Sequence, residues 1–555
     1  MKKIIFVFLF GICCLNTQAQ INPPVIQWQN DIGGVGNEWF STMTQTNDGG
    51  FLIGGYSSSI LSGDKTENSV GSRDYWVLKI NSYGNIIWQN DIGGSLYDGL
   101  FSVDETTDGG YILGGSSDSH ISGDKTEDVI GVTDYWVIKL DSLGNVQWQN
   151  TIGGNDADEL FSINQTTDGG YIIGGSSASN ISGDKTEDIV GGTVSTYDYW
   201  IVKLNSAGVV QWDKTIGGND NDVLYSIEQT QDGGYILGGT SYSNASGNKT
   251  ENVIGGVGDA DYWIVKVDST GGFQWDNTIG GTSGESLFNI FQTPDGGYIM
   301  GGSSTSDSSG DKTENRFGTN INYSDYWILK LNSAGNIQWQ RTIGGDSSDV
   351  VYSISPTINN KILVAEISLS GISGNKTEAN FGSNDFWVLE LSSNGNILWQ
   401  KEIGGDNYDV VGDIIPTTEY GVLVGGFSFS GISGNKTDDN VNQNYQTSDY
   451  WIIKLAPDSI YENSVCCLLI DNSVSISPNP ATNEIKITNL SCTASCGPTE
   501  NQISIFNLLG QQVLYRVANP PWRIGNSNNA TINVFDFPAG IYVVTIFDGE
   551  KIVCK

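Results

Sequence analysis

One stretch recurs seven times along the chain, and no other feature limits its fold so strongly. The clearest copy runs from Asp134 to Glu187 and contains DYWVIKL, DSLGN, VQWQN, IGG, DGGY and SGDKTE in that order. A tryptophan followed by Gln or Asp marks each copy, at Trp28, Trp88, Trp148, Trp212, Trp275, Trp339 and Trp399. The following Ile-Gly-Gly begins at Ile32, Ile92, Ile152, Ile216, Ile279, Ile343 and Ile403. A spacing of 60 to 64 residues is too long for a helical repeat.

Each copy has room for four short strands. ELFSINQT alternates apolar and polar residues and ends at the turn signal Asp168-Gly169-Gly170, after which YIIGGSSAS forms a second strand. DYWVIKL is apolar on both faces, as a strand between two sheets should be. NVQWQN alternates like a half-exposed strand and should be the outermost of the four. Short, evenly spaced strands with Gly-rich turns predict an all-β, seven-bladed β-propeller of four-stranded blades.

The two ends of the repeat array predict how the ring closes. The first copy opens at VIQWQN, from Val25 to Asn30, without a preceding DYW strand, whereas the last copy stops at Leu455 without a WQ strand. Pairing the N-terminal strand with the last three would remove the exposed sheet edges of an open array. We therefore expect the propeller to span residues 25–456 and to be closed by its N-terminal strand.

The N-terminus has the pattern of a secretory signal peptide over residues 1–19. Lys2 and Lys3 precede an apolar run, and Ala19 ends an A-x-A-like cleavage site. Cys13 and Cys14 leave lipidation open as an alternative. No other apolar run approaches the ~20 residues of a membrane-spanning helix, so we expect no transmembrane span.

Composition narrows the class of partner. The net charge is −37, and almost all of it falls within the propeller. Such a surface repels phosphate backbones, so no nucleic acid is expected as a ligand, whereas cations, basic proteins and neutral glycans stay open. The acidity also has a plain interpretation as solvation of an exported protein.

Fourteen of the 16 Trp occupy two fixed places in the repeat and should pack between blades. Trp39 does not, because its equivalents in the other copies are small, aliphatic or acidic.

One acid follows each Ile-Gly-Gly by four residues and provides the only candidate metal site. The seven are Glu38, Asp98, Asp158, Asp222, Glu285, Asp349 and Asp409. They lie at the crossover to the innermost strand, on the rim that also holds the length-variable SGDKTE loops, so they could ring the channel mouth and bind Ca²⁺. In the alternative, each acid fixes its own turn by accepting backbone N–H bonds or pairs with a lysine of the SGDKTE loop. No other cofactor is expected.

The propeller has few of the residues that enzymatic catalysis commonly uses. His120 is the only histidine, and Arg73, Arg316 and Arg341 are the only propeller arginines, spread over three copies. A Ser-His-Asp triad or a histidine metal site therefore lacks its parts. Paired carboxylates for glycoside hydrolysis stay open in so acidic a chain.

Copies six and seven depart from the repeat. Asn359-Asn360-Lys361 and Glu419-Tyr420-Gly421 replace DGGY, and Glu390 replaces the lysine of the DYW strand. This drift either marks a functional face or reflects tolerance beside the closure and the C-terminal domain.

After Leu455 the repeat ends, and residues 457–472 form a linker. Residues 473–555 read as strands of a small β-sandwich, with SPNP at Ser477–Pro480, NLLGQ around Gly510, and PAGIY before a basic end. These segments resemble the C-terminal sorting domain of the type IX secretion system. The motif residues are Pro478, Asn479, Pro480, Gly510, Pro538, Ala539, Gly540, Tyr542, Lys551 and Lys555.

The resemblance implies a Bacteroidetes-type host, transit through the periplasm, handling by the type IX machinery, and attachment to surface lipopolysaccharide or release. An insertion, SCTASCGPTE, sets this copy apart and could close a Cys492–Cys496 link. Cys466, Cys467 and Cys554 bring the mature chain to five cysteines, so at least one has no partner within it.

The sequence thus predicts an exported binding or adhesion module whose ligand is a glycan or a protein. Two alternatives stay open: a secreted carbohydrate-active hydrolase or lyase that uses propeller carboxylates, with or without Ca²⁺, and a purely structural surface component.

Overall fold

The computed structural model describes residues 23–457, apart from 192–195, 257, 358 and 443–446, together with the backbone of seven strands in residues 475–554. The chain divides into two compact units, Met1–Ala456 and Pro457–Lys555. The first unit contains 28 strands in seven four-stranded antiparallel sheets. The predicted seven-bladed propeller is confirmed.

The first six blades follow the chain, four strands to a blade. Blade 1 has β2 (Glu38–Gln45), β3 (Phe51–Ser57), β4 (Asp74–Ile80) and β5 (Ile86–Ile92). Blade 2 has β6 (Asp98–Glu105), β7 (Tyr111–Ser117), β8 (Asp134–Leu140) and β9 (Val146–Ile152). Blade 3 has β10 (Asp158–Gln165), β11 (Tyr171–Ser177), β12 (Asp198–Leu204) and β13 (Val210–Ile216). Blade 4 has β14 (Asp222–Gln229), β15 (Tyr235–Ser241), β16 (Asp261–Val267) and β17 (Phe273–Ile279). Blade 5 has β18 (Glu285–Gln292), β19 (Tyr298–Ser304), β20 (Asp325–Leu331) and β21 (Ile337–Ile343). Blade 6 has β22 (Asp349–Pro356), β23 (Ile362–Ser368), β24 (Asp385–Leu391) and β25 (Ile397–Ile403).

Blade 7 closes the ring with both ends of the unit. It has β26 (Asp409–Pro416), β27 (Val422–Ser428), β28 (Asp449–Leu455) and, as its fourth strand, β1 (Ile26–Ile32). β1 pairs antiparallel with β28, with Asp31 opposite Trp451 and Ile32 opposite Tyr450. This is the closure that the ends of the repeat array predict, and it leaves no sheet edge between the first and last blades.

The four strands of a blade differ in burial as their sequences predict. The DYW strands are buried along their whole length, whereas the WQ strands have exposed and half-buried residues over their first half. The first strands of neighbouring blades contact one another around the whole ring, so they form its inner wall. Apolar side chains of each blade pack against those of the next and make one core cluster per junction. The core therefore lies between the blades.

Tyrosine hydroxyls link neighbouring blades. The tyrosine of the DYW strand donates to a tryptophan carbonyl of the next blade in the pairs Tyr75–Trp136, Tyr135–Trp200, Tyr199–Trp263, Tyr262–Trp327 and Tyr450–Trp76. A glycine in the second strand leaves room for this hydroxyl, since a Cβ at Gly115 would lie 2.5 Å from Tyr75 Oη. The link is therefore built into the repeat.

The junction between blades 5 and 6 lacks that link. Glu366 occupies the place of the glycine, and both of its carboxylate oxygens are buried with no hydrogen-bond partner in the described part of the chain. Tyr326 Oη is likewise without a partner there, and its ring lies 6.1 Å from that of Trp387, against 4.8 to 5.2 Å for the other Tyr–Trp pairs. Burial raises the pKa of Glu366 well above its usual value.

Copies six and seven also compensate for their drift. Asn360 and Tyr420 take the left-handed conformation that glycine adopts in the other turns, with φ of 57° and 62°. Glu390 is 2.7 Å from Lys361 and accepts a bond from Trp399 Nε1. These substitutions therefore keep the blade geometry.

The described residues of the second unit form seven short strands in two sheets. One sheet has β29 (Ser475–Ser477), β30 (Glu484–Thr488) and β33 (Ala530–Asn533); the other has β31 (Gln502–Asn507), β32 (Gln512–Leu514), β34 (Tyr542–Phe547) and β35 (Ile552–Cys554). The β-sandwich stays a prediction. The signal peptide, most of the linker, the five mature-chain cysteines except the backbone of Cys554, and the sorting motifs except the backbone of Tyr542 lie outside the described residues.

Candidate functional site

The seven acids proposed as a metal ring each begin the innermost strand of a blade. All are at most 1% exposed. Each accepts a hydrogen bond of 2.6 to 3.0 Å from the second glycine of its own Ile-Gly-Gly. A serine hydroxyl from the end of the second strand or the loop after it also donates to each acid, as Ser119 does to Asp98 at 3.0 Å. Burial raises the pKa of five of the seven, that of Asp222 to about 6.

The acids therefore have the contacts that the turn-fixing alternative predicts. Each acid is hydrogen-bonded within its own blade, although one oxygen each of Asp158 and Asp222 has no hydrogen-bond partner in the described part of the chain. Among the described residues no group of three acidic, histidine or cysteine side chains is arranged to hold a metal ion. Calcium binding at the ring stays a prediction that nothing in the geometry favours.

The lysine of each SGDKTE loop is buried in the same part of the blade. Its ammonium lies 4.8 to 5.8 Å from the centre of the DYW tryptophan, as in the pairs Lys125–Trp136 and Lys312–Trp327. In blades 2 to 4 the ammonium also donates to a threonine at the end of the outer strand, whereas Lys376 pairs with Glu402 at 2.9 Å. Burial lowers the pKa of Lys125 to about 8. The buried lysine therefore anchors the inner face of the loop to its blade, and the outer face of the loop is the surface that can vary.

Aromatic side chains follow one another along the inner wall of blades 2 to 6. The fourth residue of the innermost strand is aromatic in these five blades, which we call the aromatic arc: Phe101, Phe161, Tyr225, Phe288 and Tyr352. Neighbouring ring centres are 5.2 to 6.3 Å apart, and every ring is at least partly exposed. The arc stops at Gly412 of blade 7 and Ser41 of blade 1, so the inner wall is not sevenfold symmetric.

A second group, which we call the Arg73 cluster, extends the arc at the junction of blades 1 and 2. It consists of Trp39, Tyr56, Arg73 and Tyr97. Trp39 and Tyr56 are opposite each other on β2 and β3, with their rings stacked at 5.3 Å. The Arg73 guanidinium lies 4.0 Å from the centre of Trp39 and 5.8 Å from those of Tyr56 and Tyr97. Tyr56 is 6.2 Å from Phe101, which joins the cluster to the arc.

The Arg73 cluster occurs once in the ring. The places of Trp39, Tyr56 and Arg73 are taken in blade 2 by Gly99, Ser116 and Thr133. Gly99 is needed there, because a Cβ would lie 2.3 Å from the hydroxyl oxygen of Tyr97. Ser116 instead accepts a backbone bond from the next blade at 3.0 Å. Blade 1 therefore differs from the repeat at these positions, and the residues there form a partly exposed cationic and aromatic surface.

Arg73 differs from the other two propeller arginines. Arg316 lies 3.5 Å from Asp307 and Arg341 lies 3.7 Å from Glu314. The Arg73 guanidinium makes neither an ion pair nor a hydrogen bond to any residue that the structure describes. Its N–H groups are therefore available to a ligand.

The sequence identified part of this site. Trp39 is the one propeller tryptophan outside the two repeated places, and Arg73 is one of three arginines in the unit. Tyr56, Tyr97 and the aromatic arc were not recognised. Comparing the seven copies position by position would have shown Tyr56 standing where four copies carry serine or threonine.

Comparison with known proteins identifies the C-terminal segment. Residues 475–555 match the family described as "Secretion system C-terminal sorting domain". This segment is a type IX sorting domain. It directs the chain through the periplasm to the cell surface or the outside, and it involves the type IX secretion machinery. In the part of the chain with described coordinates, no helix is long and apolar enough to cross a bilayer.

Several solved structures resemble the chain at low sequence identity. A protein of unknown function from Dyadobacter fermentans is 9% identical, with 79% of this chain and 100% of that chain covered and a TM-score of 0.42. The Pan2 WD40 domain of Neurospora crassa is 10% identical over 79% and 98% of the two chains, with a TM-score of 0.41. Drosophila Plexin A, in complex with Semaphorin 1b, is 7% identical over 82% and 92%, with a TM-score of 0.40. No curated protein matches the chain.

Proposed function

We propose that the exported propeller is a surface or secreted binding module, and that its ligand contacts the Arg73 cluster. The observation that supports this most directly is the unpartnered Arg73 stacked on Trp39, because a structural feature of this ring is repeated in most blades and this one is not. A functional site in a ring of similar blades has to break the symmetry, and loops on one rim of a rigid scaffold are where binding diversifies.

The sorting domain delivers this module to the outside, where it stays attached to surface lipopolysaccharide or is released. Its partner is a glycan or a protein. The aromatic arc supports this proposal, because partly exposed aromatic rings in a row provide stacking surface for a bound chain.

The test is a binding screen of the purified secreted chain against glycan and peptide panels, with turnover measured on every ligand that binds. Trp39→Val introduces the residue that blade 4 carries at this position, Val223, and should weaken binding at least tenfold. Tyr83→Ala, which removes a 77% exposed aromatic from the opposite rim, should leave binding unchanged. Cleavage of a bound glycan would replace this proposal with the hydrolase or lyase alternative, and equal effects of the two variants would refute the site.

A further inference from the structure

The Arg73 cluster has the chemistry of a carboxylate-binding site. We infer that the propeller recognises a glycan that carries carboxylate groups, and that Arg73 contacts the carboxylate. This inference rests on the proposed function and specifies its ligand.

The first step of the argument is the state of Arg73. The guanidinium lies over the ring of Trp39 at 4.0 Å, which restrains its position, and no described residue uses its N–H groups. A guanidinium presents its donors in a planar fork that matches a carboxylate in a bidentate arrangement. Holding the fork in place beforehand reduces the entropy that a ligand loses on binding.

The second step is the supply of further donors. Tyr56 and Tyr97 lie 5.8 Å apart, each with its ring centre 5.8 Å from Arg73, so the three groups form a triangle with equal sides. Burial raises the pKa of both tyrosines, which keeps their hydroxyls protonated. Because Tyr97 is hydrogen-bonded to Tyr56, a carboxylate oxygen in this triangle would meet a charged fork and one neutral hydroxyl donor, with aromatic surface beside them for the apolar face of a sugar ring.

The third step is the charge around the site. The whole chain carries −37, so an acidic protein would face repulsion over its entire interface. A sugar chain with a single uronate residue presents one charge, and the Debye length of about 8 Å at physiological salt limits the repulsion on that charge to its own surroundings. Within the cluster the guanidinium of Arg73 is the positive charge, whereas the Asp118 carboxylate lies close enough to Tyr97 to help raise its pKa. A singly charged carboxylate therefore fits this surface better than a dianionic phosphate or an acidic protein.

The experiment compares ligands that differ only in the carboxylate. Binding of the purified secreted chain to an otherwise neutral oligosaccharide that carries one uronate residue is measured against the methyl ester of the same oligomer, together with a peptide that has a free C-terminal carboxylate and its amide. We expect the acidic oligomer to bind at least tenfold more tightly than its ester, because the ester cannot make the charge-assisted hydrogen bond to Arg73. Tighter binding of the free peptide than of either sugar would refute the glycan assignment.

Variants then assign the selectivity to Arg73. Arg73→Thr introduces the residue of the equivalent Thr133 in blade 2 and should abolish the preference for the acid over the ester. Arg73→Lys keeps the charge but not the fork and should reduce the preference severalfold. Arg341→Thr removes one positive charge from a paired arginine and should leave the preference intact; circular dichroism checks that all variants fold.

The outcomes separate the two proposals. Equal binding of acid and ester, or a preference that survives in Arg73→Thr, overturns the inference and leaves the binding module standing. Failure of every glycan and peptide to bind overturns the proposed function.

Discussion

Replacing Glu366 by glycine should stabilise the propeller, although it removes the whole side chain of a core residue. Glu366 is fully buried, and neither of its oxygens has a partner in the described part of the chain. An unsatisfied buried polar group costs about 1 to 3 kcal/mol, and a restored hydrogen bond from Tyr326 to the Trp387 carbonyl would contribute about 1 kcal/mol. Glycine in a strand costs about 0.5 to 1 kcal/mol. The expected net gain is about 1 to 3 kcal/mol.

The gain should depend on pH in a defined direction. Burial raises the folded-state pKa of Glu366 well above 4.5, so the folded chain holds a proton that the unfolded chain releases at neutral pH. The contribution of this group to stability is therefore fully present below about pH 4.5 and is lost as the pH rises, by up to about 1.4 kcal/mol per pH unit. Glu366→Gly should gain more at pH 8 than at pH 5.

Denaturant unfolding at both pH values measures this effect. Glu366→Gln removes the titration but keeps the bulk, so it should flatten the pH dependence without restoring the Tyr326 bond. Tyr326→Phe should cost nothing in the wild-type chain and about 1 kcal/mol in the Glu366→Gly background. A Glu366→Gly variant that is less stable than the wild type at pH 8, or that shows the same pH profile, would refute the reasoning.

Three further predictions concern the repeat itself. Gly153→Ala places a Cβ about 2.1 Å from a carboxylate oxygen of Asp134 and should cost about 1 to 3 kcal/mol in urea unfolding, whereas Gly371→Ala has open space and should change little. Tyr199→Phe removes a bond to the next blade and should cost about 1 kcal/mol; an unchanged unfolding midpoint would show that these bonds add nothing. Burial raises the pKa of the DYW aspartates, that of Asp74 to about 8, so their contribution to stability is present at low pH and lost as the pH rises. The free energy of unfolding should therefore be at least about 1.4 kcal/mol higher at pH 5 than at pH 8, and calorimetry showing the reverse would contradict this.

The repeat made the fold predictable because every copy carries the same strand and turn signals. Blade number and strand order follow from the seven copies, and closure follows from the two truncated copies at Val25 and Leu455. The site was harder to predict, because it consists of exceptions to the repeat that come together only through inter-blade packing. Tyr56 lies on β3 of blade 1 and Tyr97, 41 positions later, lies directly before β6 of blade 2, so their contact depends on how two blades face each other. The seven acids were easy to find for the opposite reason, since the repeat places one at the same turn of every blade; calcium binding by them stays a prediction.

The closure also makes the propeller sensitive to the loss of either end of the unit. Six blades can form from consecutive chain, but the seventh needs β1 and β28, which are the first and last strands of the unit. A chain cut anywhere before Leu455 would lack a partner for β1, and trimming beyond Val25 would uncover the edge of β28. The sorting domain follows β28 in the chain. A chain that has been synthesised as far as its sorting domain therefore also contains the last strand that closes the ring.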